Sequence, residues 1–222
     1  MTQSYPRIVA LALLSIVTAV AGCRTASREV ESGRVQPAAR RDAGGSAASA
    51  FSPDTVRRGH PADVRFMQDM IAHHAQALVM TSLVRSRTSR SEMRLLAERI
   101  DVSQRDEIAL MRQWLTSHGQ EAPSADPQHA HHGAAGRGMM PGMLTEDDLA
   151  QLSRATGAAF DRLFLQLMIR HHEGALTMVT QLFATPGAAQ ETEVYRLATD
   201  VDADQRAEIA RMHALLRTLP AR

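Results

Sequence analysis

The chain of 222 residues has a single cysteine, Cys23, so it has neither an internal disulfide framework nor a Cys-rich zinc finger. Lysine is absent; all 25 basic residues are arginine, against 24 acidic ones. A formal net charge of +1 gives no global electrostatic case for nucleic acid. Aromatics make up only 4%, too few for base-stacking platforms. No run alternates apolar and polar residues as a half-buried strand does. No Glu-x-x-His occurs, which disfavours an oxygen-activating di-iron centre of the bundle type. No Ser/His/Asp spacing or phosphate loop is visible, so the chain reads as a non-enzyme. What the sequence does have is 12 Met and 10 His. Thioether and imidazole together are the donor pair that soft copper prefers.

The first segment reads as an export signal. Arg7 supplies a short positive start, and Ile8 to Val20 form an apolar run too short to span a membrane. The run ends Val20-Ala21-Gly22-Cys23, which resembles a bacterial lipobox. Residues 1–22 are therefore expected to be a lipoprotein signal peptide, with Cys23 lipidated as the new N-terminus. That places the mature chain at the cell envelope or in the periplasm, anchored to a membrane by lipid. Residues 23–59, rich in Ala, Arg, Gly and Ser, are expected to be a flexible tether.

The globular part, 60–222, contains an internal repeat. Residues 66–84 and 164–182 are identical at nine of nineteen positions at an offset of 98. Residues 96–115 and 197–216 are identical at ten of twenty at an offset of 101. The repeated unit is thus two segments long. Each segment has apolar residues three and four apart, as in Phe66, Met70, Ala77, Met80 and Val84, the pattern of an amphipathic helix. Pro61 suits a first turn, Ser89-Arg90-Ser91-Glu92 reads as a capping box, and Gly119 suits a helix end. Thr145 opens a short helix; two further long helices are expected over about 157–184 and 189–218. Two αα-hairpins, each with one apolar stripe, bury those stripes together as an all-α four-helix bundle.

The stripes carry polar residues. His73 and His74 straddle the apolar stripe of their helix, and Gln104 and Glu107 share the face of Ile100, Met111 and Leu115. The second repeat has the same arrangement in His171, His172, Gln205 and Glu208. Buried polar groups need partners. One reading is that histidine and glutamate satisfy each other by hydrogen bonds alone. The other is a metal site built from Met70, His73, His74, Met80, Glu107 and Met111 with Met168, His171, His172, Met178, Glu208 and Met212. The doublet occurs twice, each time with Met three before and seven after the first His, which favours metal. His with Met favours copper, as Cu(I); four His keep zinc open as an alternative. The connection 119–144 adds His129, His131, His132, Met139, Met140 and Met143 among Gly, Ala and Pro, a second, looser set of candidate ligands.

The strings M-I-x-H-H-x-x-A-L-x-M, Q-x-x-E-I-x-x-M-x-x-W-L, M-P-G-M and F-D-R-L-F-L-x-L-M-I-R-H-H, spread over about 61–218, resemble the family known as domain of unknown function 305. The resemblance implies a ferritin-like four-helix bundle, often exported; some members resemble periplasmic copper-binding proteins linked to copper resistance. It marks Met70, His73, His74, Met80, Gln104, Glu107, Met111 and Trp114 in the first half. In the second it marks Met168, His171, His172, Met178, Gln205, Glu208 and Met212. Leu215 stands where the first half has Trp114, so the tryptophan is read as packing. The expected function is sequestration or transfer of copper, with a delivery protein or a second copy of the chain as partner. A bundle oxidase and a metal-free envelope scaffold are the alternatives.

Overall fold

The computed structural model describes residues 58–124 and 139–220. The signal segment, Cys23 and nearly all of the tether lie outside the described residues, as do His129, His131 and His132. Among the described residues there are five helices and no strand: α1 Pro61–Arg87, α2 Ser91–Ser117, α3 Glu146–Arg154, α4 Gly157–Phe183 and α5 Thr192–Thr218. None of them is long and apolar enough to cross a membrane.

α1 pairs with α2 and α4 with α5, each as an antiparallel hairpin; the hairpins meet mainly through α1 against α4, more thinly through α2 against α5. The expected four-helix bundle of two repeated hairpins is what forms. The short α3 lies against α4 and α1. Its start is a capping box: Thr145 Oγ1 accepts from the Asp148 N–H at 3.1 Å, and Asp148 Oδ2 accepts from the Thr145 N–H at 3.1 Å.

Two local expectations need correction. No capping box forms at Ser89. Arg90 is the N-cap of α2 and makes no side-chain cap bond, while Thr88 Oγ1 takes the Arg90 N–H at 3.1 Å. The last helix starts at Thr192 rather than 189, because Ala189 has φ +54°, which interrupts a right-handed helix. Asp63, fully inside the protein, fixes that turn by accepting the Ala189 N–H at 2.7 Å. Burial raises the Asp63 carboxyl above its usual range.

The core is two apolar clusters, and each draws on both repeats. One holds Met70, Met111 and Trp114 from the first hairpin with Met178 and Val179 from the second. The other holds Met168, Phe164 and Met212 from the second hairpin with Met80 and Ile100 from the first. The clusters are therefore exchanged by the repeat: Met70 corresponds to Met168, Met111 to Met212, and Met80 to Met178. Trp114 packs as expected, and its indole N–H also donates to Glu191 Oε2 at 3.1 Å.

Candidate metal site

His73, His74, His171 and His172 are all fully buried, and Glu107 and Glu208 nearly so. The doublets come together because each His-His pair sits at the same height of its own helix, and α1 packs on α4. The His73 and His171 rings lie 3.8 Å apart between centroids, tilted by 36°. His74 is 6.4 Å from His73, and His172 is 6.2 Å from His171. The four rings thus form a row across the bundle, with the two first histidines in the middle.

The outer rings are held by carboxylates. His74 Nε2–H donates to Glu107 Oε2 at 2.5 Å, and His172 Nε2–H donates to Glu208 Oε2 at 2.7 Å. His73 Nε2–H donates to the Pro141 carbonyl at 3.0 Å. Carboxylates and carbonyls only accept, so Nε2 carries the proton in these three rings; in a ring that is neutral, Nδ1 then presents a lone pair. Those Nδ1 atoms are buried and have no hydrogen-bond partner; in His171 neither nitrogen has one. The amides of Gln104 and the carbonyl oxygen of Gln205 are likewise buried without partners.

Burial removes the water that would stabilise an imidazolium, and the neighbouring rings add to the effect. Desolvation, helped by His74, lowers His73 to about 3. Desolvation, helped by His73 and His172, puts His171 well below its ordinary value. Both rings are neutral near pH 7, the form that binds metals. The donor set fits a soft ion: orphaned imidazole nitrogens are flanked by methionines on either side. Holding one ring N–H on a carboxylate or carbonyl is also how proteins orient a metal-binding histidine. Even so, among the described residues no three His, Cys, Asp or Glu side chains gather as a ready cage. Glu107 and Glu208 are engaged in orienting rings.

Met70, Met80, Met111, Met168 and Met212 are fully buried and Met178 nearly so, three in each apolar cluster. Of the loop candidates, Met139, Met140 and Met143 fall among the described residues. Met139 is exposed, Met143 is half-buried, and Met140 packs against the cluster of Met70, Met111 and Met178. The M-P-G-M turn is thereby fixed to the bundle.

Several residues that hold this turn carried no sequence signal of chemistry. Gln76 brackets Leu144, donating to its carbonyl at 3.0 Å and accepting its N–H at 2.7 Å. Gly142, at φ +74°, and Gly174 bring the turn's backbone against α4. A Cβ on Gly174 would collide with Pro141 and Gly142, so only glycine fits. Glycine inside a helix is the one clue the sequence offers to this close approach.

A family model described as a domain of unknown function, DUF305, matches residues 63–217. The chain belongs to the DUF305 family. A DUF305 fragment from Deinococcus radiodurans is 35% identical with a TM-score of 0.60, covering 72% of this chain and 98% of that one. A DUF305 protein from Streptomyces coelicolor, named as secreted, is 33% identical with a TM-score of 0.60, covering 70% and 92%. CopM in a Cu(II)-bound form is 29% identical with a TM-score of 0.56, covering 70% and 95%. CopM has also been solved in Cu(I)-bound and Ag-bound forms. No curated protein sequence matches.

Proposed function

We propose that this DUF305 protein is an exported, lipid-anchored metal carrier that sequesters or hands on copper, chiefly as Cu(I), through histidine and methionine side chains inside its bundle. It does so without catalysing a reaction. The observation that carries this reading is the set of buried imidazole nitrogens left without partners between two methionine trios. A buried polar atom without a partner costs stability, about 1–3 kcal/mol each. A ligand that satisfies several at once explains why they persist. Copper-bound relatives support the choice of metal, and a relative named as secreted supports export. Cu(I) tolerates low coordination numbers and sulfur donors, which suits a site with few convergent nitrogens and many thioethers.

One observation favours the metal-free scaffold instead: two of the four histidines already have a carboxylate partner. One experiment separates the two readings. Cu(I) that binds only the folded state adds about 2.7 kcal/mol at a free concentration near 100 times its dissociation constant. For a domain of this size that raises Tm by about 5–11 °C. Replacing His73, His74, His171 and His172 together by Gln keeps hydrogen-bonding capacity and should erase most of that rise while helicity is kept. A scaffold held by hydrogen bonds shows no Cu(I) shift in either protein. A quadruple variant that keeps the full shift would overturn the bundle site. Oxygen uptake in the presence of Cu(I), expected to stay at background, tests the oxidase alternative.

A further inference from the structure

The two methionine trios are related by the repeat but differ in their access to solvent. Met80, Met168 and Met212 are all sealed at 0% exposure. In the other trio Met70 and Met111 are sealed, but Met178 keeps 7% and lines an open crevice of about 330 Å³ between α1 and α4. Phe66 forms part of one wall; Met140 and Pro141, from the turn that joins the hairpins, are also in the lining. Met140 thus faces the crevice while packing against the cluster that holds Met178. Its neighbour Pro141 receives the His73 N–H. A thioether from the connecting turn, a thioether from the bundle and the turn's link to the histidine row therefore meet at one opening.

We propose that this crevice is the entry site for a soft monovalent metal ion, with Met140 as the outer ligand that passes the ion to Met178 and so to the trio of Met70, Met111 and Met178. The inference rests on the copper reading above and adds a route to it. Thioethers suit a transfer step because they bind Cu(I) and Ag(I) as neutral, polarisable donors on a flexible side chain. No bond to the protein has to be made or broken other than metal–sulfur contacts. Since all three methionines of the second trio are sealed at 0% exposure, filling is ordered: the Met178 side loads first.

The test is the rate of Cu(I) uptake by the full chain, mixed anaerobically with a coloured bicinchoninate–Cu(I) complex, read beside the copper content at equilibrium. Met140→Leu keeps the bulk of the side chain and removes the sulfur. It should slow uptake on the order of tenfold, a barrier change of about 1.4 kcal/mol, while leaving the final content unchanged. Met140→Cys, which restores a soft ligand, should recover most of the rate. Met93→Leu, a buried change in the other cluster, should load as wild type does. If Met140→Leu loads at the wild-type rate to the wild-type content, the entry route is wrong and the carrier reading stands. If the wild-type chain takes up no Cu(I) at equilibrium, both fall together.

Discussion

Gln76 and Gly174 stand at the same position of the two repeats, and both seat the one segment that joins the hairpins. In the first repeat a side chain is needed to satisfy the backbone of Leu144. In the second, the absence of a side chain lets Pro141 and Gly142 lie against the helix. The repeat is symmetric where it builds the histidine row and asymmetric where the chain must cross it. The asymmetry reaches the site itself. His73 has the Pro141 carbonyl as partner, and its counterpart His171 has none.

Gly174→Ala is accordingly expected to push the turn off α4 and break the His73–Pro141 hydrogen bond. Overpacking of this kind costs about 1–3 kcal/mol. For a domain of this size that is a fall in Tm of about 2–12 °C, at 2–4 °C per kcal/mol. Alanine is otherwise the better helix former, by about 1 kcal/mol. A Gly174→Ala variant as stable as wild type or more so would show that the turn does not bear on the helix.

Acid should weaken the apo protein well before carboxylates titrate. His73 is held neutral down to about 3 in the folded chain, and His171 is also held well below its ordinary value. In the unfolded chain both protonate near 6.5. Their contribution is therefore fully present above about 6.5. It is lost as pH falls below that value, at up to about 1.4 kcal/mol per pH unit for each histidine. Urea melts between pH 7.5 and 4.5 measure it. Replacing His73 and His171 by Gln should flatten the profile between 6.5 and 4.5. An unchanged slope would assign the acid sensitivity to other groups.

The sequence is informative here wherever a property repeats along one helix. The apolar spacing around Met70 and Met168, the duplicated His-His doublets and the Glu107 and Glu208 stripes are each local patterns. They give the helices, the bundle and the placing of polar residues on its core stripes; the ring-to-ring contacts that line up the four histidines come from the packing of α1 on α4. What it does not show depends on contacts between helices. Met178 joins Met70 rather than its own Met168 because the hairpins interlock across the repeat. Ser89 loses the cap to a Thr88–Arg90 contact, and Ala189 takes a left-handed φ because Asp63, far away in sequence, binds its N–H. The pinned M-P-G-M turn is read as loose in sequence since Gly and Pro mark a loop without saying what it touches.

The proposed membrane anchor rests on one atom, the Cys23 sulfur. If Cys23 carries the lipid, Cys23→Ala should move the protein from the membrane fraction to the soluble exported fraction, with the bundle unaltered because the globular part starts far downstream. Fractionation of expressing cells followed by detection of the bundle measures this. A variant that still sediments with membranes would show that something other than Cys23 holds it there.

The interlocked methionines give a sharper test of the metal site than the histidines do. Leu for Met is close to volume-conserving and usually costs under about 1.5 kcal/mol in a core. One variant replaces Met70, Met111 and Met178, the other Met80, Met168 and Met212; both should remain helical, with modest losses in Tm. If the thioethers are ligands, each triple variant should lose part of the Cu(I) capacity. X-ray absorption at the copper edge should show sulfur scattering falling relative to nitrogen. Because the repeat exchanges the two trios, the two losses at equilibrium should be equal in kind. Their loading rates should differ, since only the Met178 side opens to the crevice. Sulfur scattering unchanged in both variants would leave the methionines as core filling and place copper on the imidazoles alone.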